Sequence, residues 1–65
     1  MKTIGDKVTI ILNMKENMYD YVPELKHYRG REATILEAIE IPNEKPRYFL
    51  DIDNRAWAWY EEYFQ

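Results

Sequence analysis

The chain has 65 residues, no cysteine, one histidine and a formal charge of −3. Disulfides and thiolate zinc sites are therefore excluded, His27 alone cannot build a His-rich metal site, and the mildly acidic balance argues against a generic nucleic-acid binder. One domain of this size buries only about 60% of its unfolded surface, and the 15% aromatic content supplies large side chains that compensate.

Residues 6–12 have strand chemistry, with Val8, Ile10 and Leu12 on one face at a period of two. Gly5 and Asp6 suit the turn before them. Residues 13–30 show no sustained period of two, and Pro23 interrupts any long helix. Residues 23–28 suit one short helical turn with proline first, and Gly30 ends the excursion. Residues 31–41 mix helix formers with Thr34, Ile35, Ile39 and Ile41. A strand is predicted, bulged near Glu37 where the apolar alternation changes phase. Residues 42–46 form a turn with two prolines, and 47–52 a strand with Tyr48, Leu50 and Ile52 on one face. Asp53 and Asn54 signal a turn, and residues 55–60 make a fourth strand. The longest apolar run, Val-Thr-Ile-Ile-Leu, is far short of the roughly 20 residues that span a bilayer. With no apolar leader core in the first residues, the chain reads as cytoplasmic.

Five of the ten aromatic residues (Trp57, Trp59, Tyr60, Tyr63 and Phe64) fall within eight consecutive positions. A two-residue turn at Asn54–Arg55 sets Ile52 opposite Trp57 and Leu50 opposite Trp59, both tryptophans on the core face. A three-residue turn opposes Ile52 with Ala56 and turns them outward. Arg55 is poorly suited to the positive φ of a tight primed turn. Core burial favours the first register. It predicts Trp57 in the core, Phe64 closing the fold, Trp59 partly covered and Tyr60 exposed on the opposite face, with Tyr63 undecided.

Short strands, one long early excursion and turn-rich joints point to a small antiparallel barrel. The segments "GDKVTI", "YDYVPELKHYRGREATI" and "YFLDIDNRAWAWYEEYF" resemble small SH3-like barrel proteins of phages, prophages and other mobile elements of Gram-positive bacteria. The resemblance covers about residues 4–64. More remotely, "YRGREATIL" resembles the KOW modules of ribosomal and transcription proteins, although Glu32, Glu37 and Glu40 stand where basic residues are expected. The resemblance implies an all-β, five-stranded SH3-like barrel, with residues 13–30 as a long RT-like first loop and 61–64 as a turn and closing strand.

The inventory argues against catalysis: serine and cysteine are absent, and the two glycines are too far apart for a phosphate loop. Asp51, Asp53, Glu61 and Glu62 are open to two readings, a carboxylate or divalent-cation site, or residues that face solvent, shape the turn and cap the last turn. Lys26, Arg29 and Arg31 around Tyr28 read either as a phosphate-contacting patch with a stacking aromatic or as a solvated loop paired with Glu24 and Glu32. Tyr19, Tyr21 and Tyr28, with Trp59 and Tyr60, are the protein-contact candidates. A proline-peptide groove would need a tryptophan facing outward. The expectation is a non-enzymatic module with no cofactor, metal or membrane. It binds a protein partner, with nucleic acid at Lys26, Tyr28, Arg29 and Arg31 as the alternative, as a monomer or weak dimer.

Overall fold

β-Branched and aromatic residues at alternating positions build the sheet. The computed structural model describes residues 1–65. Three antiparallel strands, β1 (Lys7–Thr9), β2 (Glu32–Ile39) and β3 (Arg47–Leu50), lie side by side in the order β1-β2-β3. Val8 faces Ala33 across the first pair, and Ile35 faces Leu50 across the second.

The predicted bulge is present. The pairing passes from Ile35–Leu50 directly to Glu37–Phe49, which leaves Leu36 as the extra, exposed residue. Two bonds fix the ladder beside it: the Thr34 N–H donates to Asp51 Oδ1 at 3.0 Å, and the Asp51 N–H to the Thr34 carbonyl at 3.2 Å. The short helical turn is a 3-10 helix over Pro23–Tyr28, with extended Val22 before it and Leu25 as its buried member. A second 3-10 helix spans Glu61–Tyr63.

Two isolated bridges tie the C-terminal segment to the sheet. Tyr48 and Trp59 exchange both backbone bonds at 2.8 Å, and Ile10 pairs with Phe64. Phe64 thus closes the contact with the N-terminal strand region, as its position predicts. Leu12 does not share the buried face of Val8 and Ile10. The pairing ends where the Ile11 N–H donates to the Tyr63 carbonyl, the chain bends, and Leu12 is 64% exposed.

The expected fourth strand over residues 55–60 is not formed, so the sheet has three strands and not five. Only Trp59 of that stretch pairs with it, by an isolated bridge, and the hairpin register is corrected. Trp59 faces Tyr48, not Leu50, across a longer turn over residues 51–55. The shift is two residues, so the side-chain face is preserved. Asn54 and Arg55 both adopt positive φ, 54° and 62°. Arg55 is held there by an ion pair to Glu37 at 2.7 Å and by its guanidinium over the Phe49 ring at 5.9 Å.

The core consists of Val8, Ile10, Met14, Leu25, Ala33, Ile35, Tyr48, Leu50, Trp59, Tyr60 and Tyr63. The roles of the two tryptophans are the reverse of the expectation. Trp59, bridged to Tyr48 on β3 and packed edge to face with Tyr28 and Tyr63, is fully buried, whereas Trp57 lies past the end of that pairing and is half-buried. No helix is long and apolar enough to cross a membrane.

Candidate protein-contact surface

The excursion that follows β1 is pinned to the C-terminal segment by side chains from that segment. Tyr60 donates its hydroxyl to Asp20 Oδ2 at 2.9 Å, Tyr63 donates to the Tyr19 carbonyl at 2.7 Å, and Glu62 Oε1 accepts the Tyr19 N–H at 2.9 Å. The Tyr19 and Tyr60 rings meet edge to face with centroids 4.7 Å apart. Asp20 sits at a φ of 52°, a left-handed conformation that aspartate tolerates better than most residues.

This anchoring explains why Tyr60 is not at the surface. Alternation along this extended segment points it away from Trp59, but the loop carrying Tyr19 and Asp20 covers that second face and leaves Tyr60 only 4% exposed. Burial, then the hydrogen bond to Asp20, pushes the Tyr60 hydroxyl up to about 12. Burial and the negative charge of Glu62 push Tyr63 up to about 12 as well. The Tyr48 hydroxyl is raised by burial and by its 2.6 Å bond to Glu61. All three phenols stay protonated, as donors, at neutral pH.

Between the pinned loop and the C-terminal segment lies a groove of about 310 Å³, lined by Asp20, Tyr21, Val22, Trp57 and Ala58. Four of these five are apolar, and Tyr21, Val22, Trp57 and Ala58 are each only half-buried. The Trp59 indole N–H is taken by Asp53 Oδ2 at 2.9 Å, whereas that of Trp57 has no partner within the chain. A smaller hollow of about 170 Å³ is lined by Lys45, Pro46, Tyr60, Glu61 and Glu62.

Among the expected contact residues, Tyr19 is 45% exposed, and Tyr21 and Tyr28 are half-buried. Trp59 and Tyr60 are corrected: both belong to the core and offer no free surface. Tyr21 alone of the five lines the groove. Val22 and Ala58 carry no sequence signal for contact, and Trp57, expected in the core, is the tryptophan that lines the groove.

The four carboxylates near the closing turn each hold structure. Asp51 accepts from Thr34, Asp53 from Trp59, Glu61 from Tyr48 and Glu62 from Tyr19. No three Asp, Glu or His side chains converge in a way that could hold a metal ion.

Lys26, in the last turn of the first 3-10 helix, and Arg29 and Arg31, in the bend after it, are exposed. The expected pairing with Glu24 and Glu32 is not made; the chain's ion pairs are Arg47–Glu44 and Arg55–Glu37. The Tyr28 ring stands at right angles to Trp59, with centroids 5.8 Å apart, and carries the Arg31 guanidinium at 5.8 Å from its centre. No protein-family model, curated protein or solved structure matches this chain.

Proposed function

We propose that this chain is a small SH3-like barrel that works without catalysis, as a cytoplasmic module that binds another protein. The barrel reading is supported by the two isolated bridges, which join the C-terminal segment to β3 on one side and to Ile10 on the other. The resemblance of the sequence motifs extends the proposal to a phage or mobile-element accessory protein whose partner is a host protein.

The groove between residues 20–22 and 57–58 carries the binding reading. It joins half-buried aromatic and aliphatic side chains to an indole donor that the chain leaves unused. Interface centres are enriched in such aromatic anchors with a polar tip. An extended segment of a partner fits this chemistry, its apolar side chains against Tyr21, Val22 and Trp57 and one backbone carbonyl on the Trp57 N–H.

Affinity capture from a Gram-positive lysate tests the proposal, with Trp57→Ala as control bait. The expected result is one identifiable protein retained by the natural chain and lost with the variant. Recovery of nothing above background, or equal recovery by both baits, contradicts it.

Nucleic-acid binding at Lys26, Tyr28, Arg29 and Arg31 is the second reading, favoured by the absence of ion-pair partners for these basic residues. A base stacking on Tyr28 would have to displace the guanidinium of Arg31 from the ring face.

A further inference from the structure

We infer that the end of the first 3-10 helix and the bend after it, residues 26–31, are a docking surface for an acidic segment carrying an apolar residue. The segment belongs to the protein partner, so the inference rests on the protein-binding reading above. Charge along the chain is sharply divided. Residues 26–31 contain three basic side chains and no acid, while the remaining six basic and all twelve acidic residues lie elsewhere. With no internal partner, these three cations have lost none of their capacity for an outside anion.

The loop is fixed in shape. The Gly30 N–H donates to the Ile10 carbonyl at 2.9 Å, the Ile10 N–H to the Arg31 carbonyl at 2.9 Å, and the Arg31 N–H to the Tyr28 carbonyl at 3.1 Å. Gly30 takes a φ of +76°, which costs glycine nothing and lets the chain turn between the two arginines. Arg31 is further held over Tyr28. The Arg31 guanidinium, placed in advance, loses less side-chain freedom when it binds a carboxylate.

An apolar side chain adjoins these basic residues. Leu12 lies across Gly30, so closely that a Cβ there would come within 2.8 Å of Leu12 Cδ2, and yet Leu12 is 64% exposed. An exposed leucine lying against the glycine between two arginines that form no ion pair fits an acidic peptide with one apolar side chain better than a phosphodiester backbone. A long polyanion would also run from this small patch onto a surface whose remaining charges sum to −6. The first 3-10 helix leads from Val22 at the groove to this loop. At roughly 2 Å per residue its six residues span about 12 Å, within the reach of one bound peptide.

The test is amide NMR on the full chain, titrated with a synthetic Glu-Glu-Leu-Glu-Glu peptide and, separately, with oligothymidylate. At about 0.01 M salt the peptide is expected to shift the amides of residues 26–31 and 12 saturably, weakening as salt rises to about 0.15 M. Arg29→Glu with Arg31→Glu is expected to weaken binding about tenfold, and Lys26→Glu alone, which leaves Arg31 on Tyr28, about threefold. Retained amide dispersion establishes that each variant is folded. Absence of loop shifts, shifts unchanged in the double variant, or tighter binding of oligothymidylate at the same salt would each overturn the inference. Trp57→Ala leaves this titration unchanged while abolishing lysate capture, so failure of the groove and failure of the loop are read separately.

Discussion

The C-terminal segment and the excursion between β1 and β2 are both rich in tyrosine, but the fold uses them in opposite ways. In the segment, Trp59, Tyr60 and Tyr63 are buried, and each spends its polar atom inside the molecule, on Asp53, Asp20 and the Tyr19 carbonyl. In the excursion, Tyr19 is exposed, and Tyr21 and Tyr28 are half-buried. One region stabilises a domain with few residues, and the other is held at the surface by it. Aromatic density alone does not separate these roles; the fate of the polar atom does. Trp57 and Trp59, two residues apart, fall on either side of this division.

The largest expected effect that probes the contrast is at Trp59. Removing a fully buried tryptophan costs about 3–5 kcal/mol. A domain of this size holds only about 3–10 kcal/mol in total, so Trp59→Ala is expected to be mostly unfolded in a urea titration. Trp57→Ala is expected to lose about 1 kcal/mol or less, as a partly exposed side chain does. Equal losses for the two would erase the division.

A smaller effect falls on Asp53, which is buried although charged, with Oδ2 on the Trp59 indole and Oδ1 without a partner. Asp53→Ala strands that indole donor and is expected to cost about 1–3 kcal/mol. Asp53→Asn keeps an acceptor and is expected to recover most of the loss. If Asn is no better than Ala, the indole bond is not what Asp53 contributes.

How far the sequence discloses this arrangement depends on how local each feature is. The three strands, the bulge before Glu37 and the 3-10 turn at Pro23 follow from neighbouring residues, through β-branching, a change of phase and a proline at the first helical position. The burial of Tyr60 does not. It depends on Asp20 and Tyr19, about 40 positions away, folding over a strand face that period-two alternation assigns to solvent. The groove is equally non-local, since Tyr21 and Val22 meet Trp57 and Ala58 only once that loop is pinned. The basic loop is legible in the sequence, but the absence of its expected ion pairs is not.

Alkaline titration gives the mildest probe. Tyr60 and Tyr63 have folded values of about 12, above the ordinary 10.0. The stability they contribute is fully present below pH about 10 and is lost as pH rises through about 12. Tyrosinate absorbance from Tyr48, Tyr60 and Tyr63 should therefore rise late, together with loss of near-UV dichroism. Tyrosinate formation by Tyr60 and Tyr63 near pH 10, with the dichroism retained, would mean that the C-terminal hydroxyls are not buried.

Fluorescence of the two single-tryptophan variants tests the division most directly. Trp57→Phe leaves Trp59 as the only emitter, and Trp59→Phe leaves Trp57. Blue-shifted emission resistant to acrylamide is expected from Trp59, and red-shifted, more readily quenched emission from Trp57. The reverse order of quenching, or equal protection of both indoles, would contradict the division.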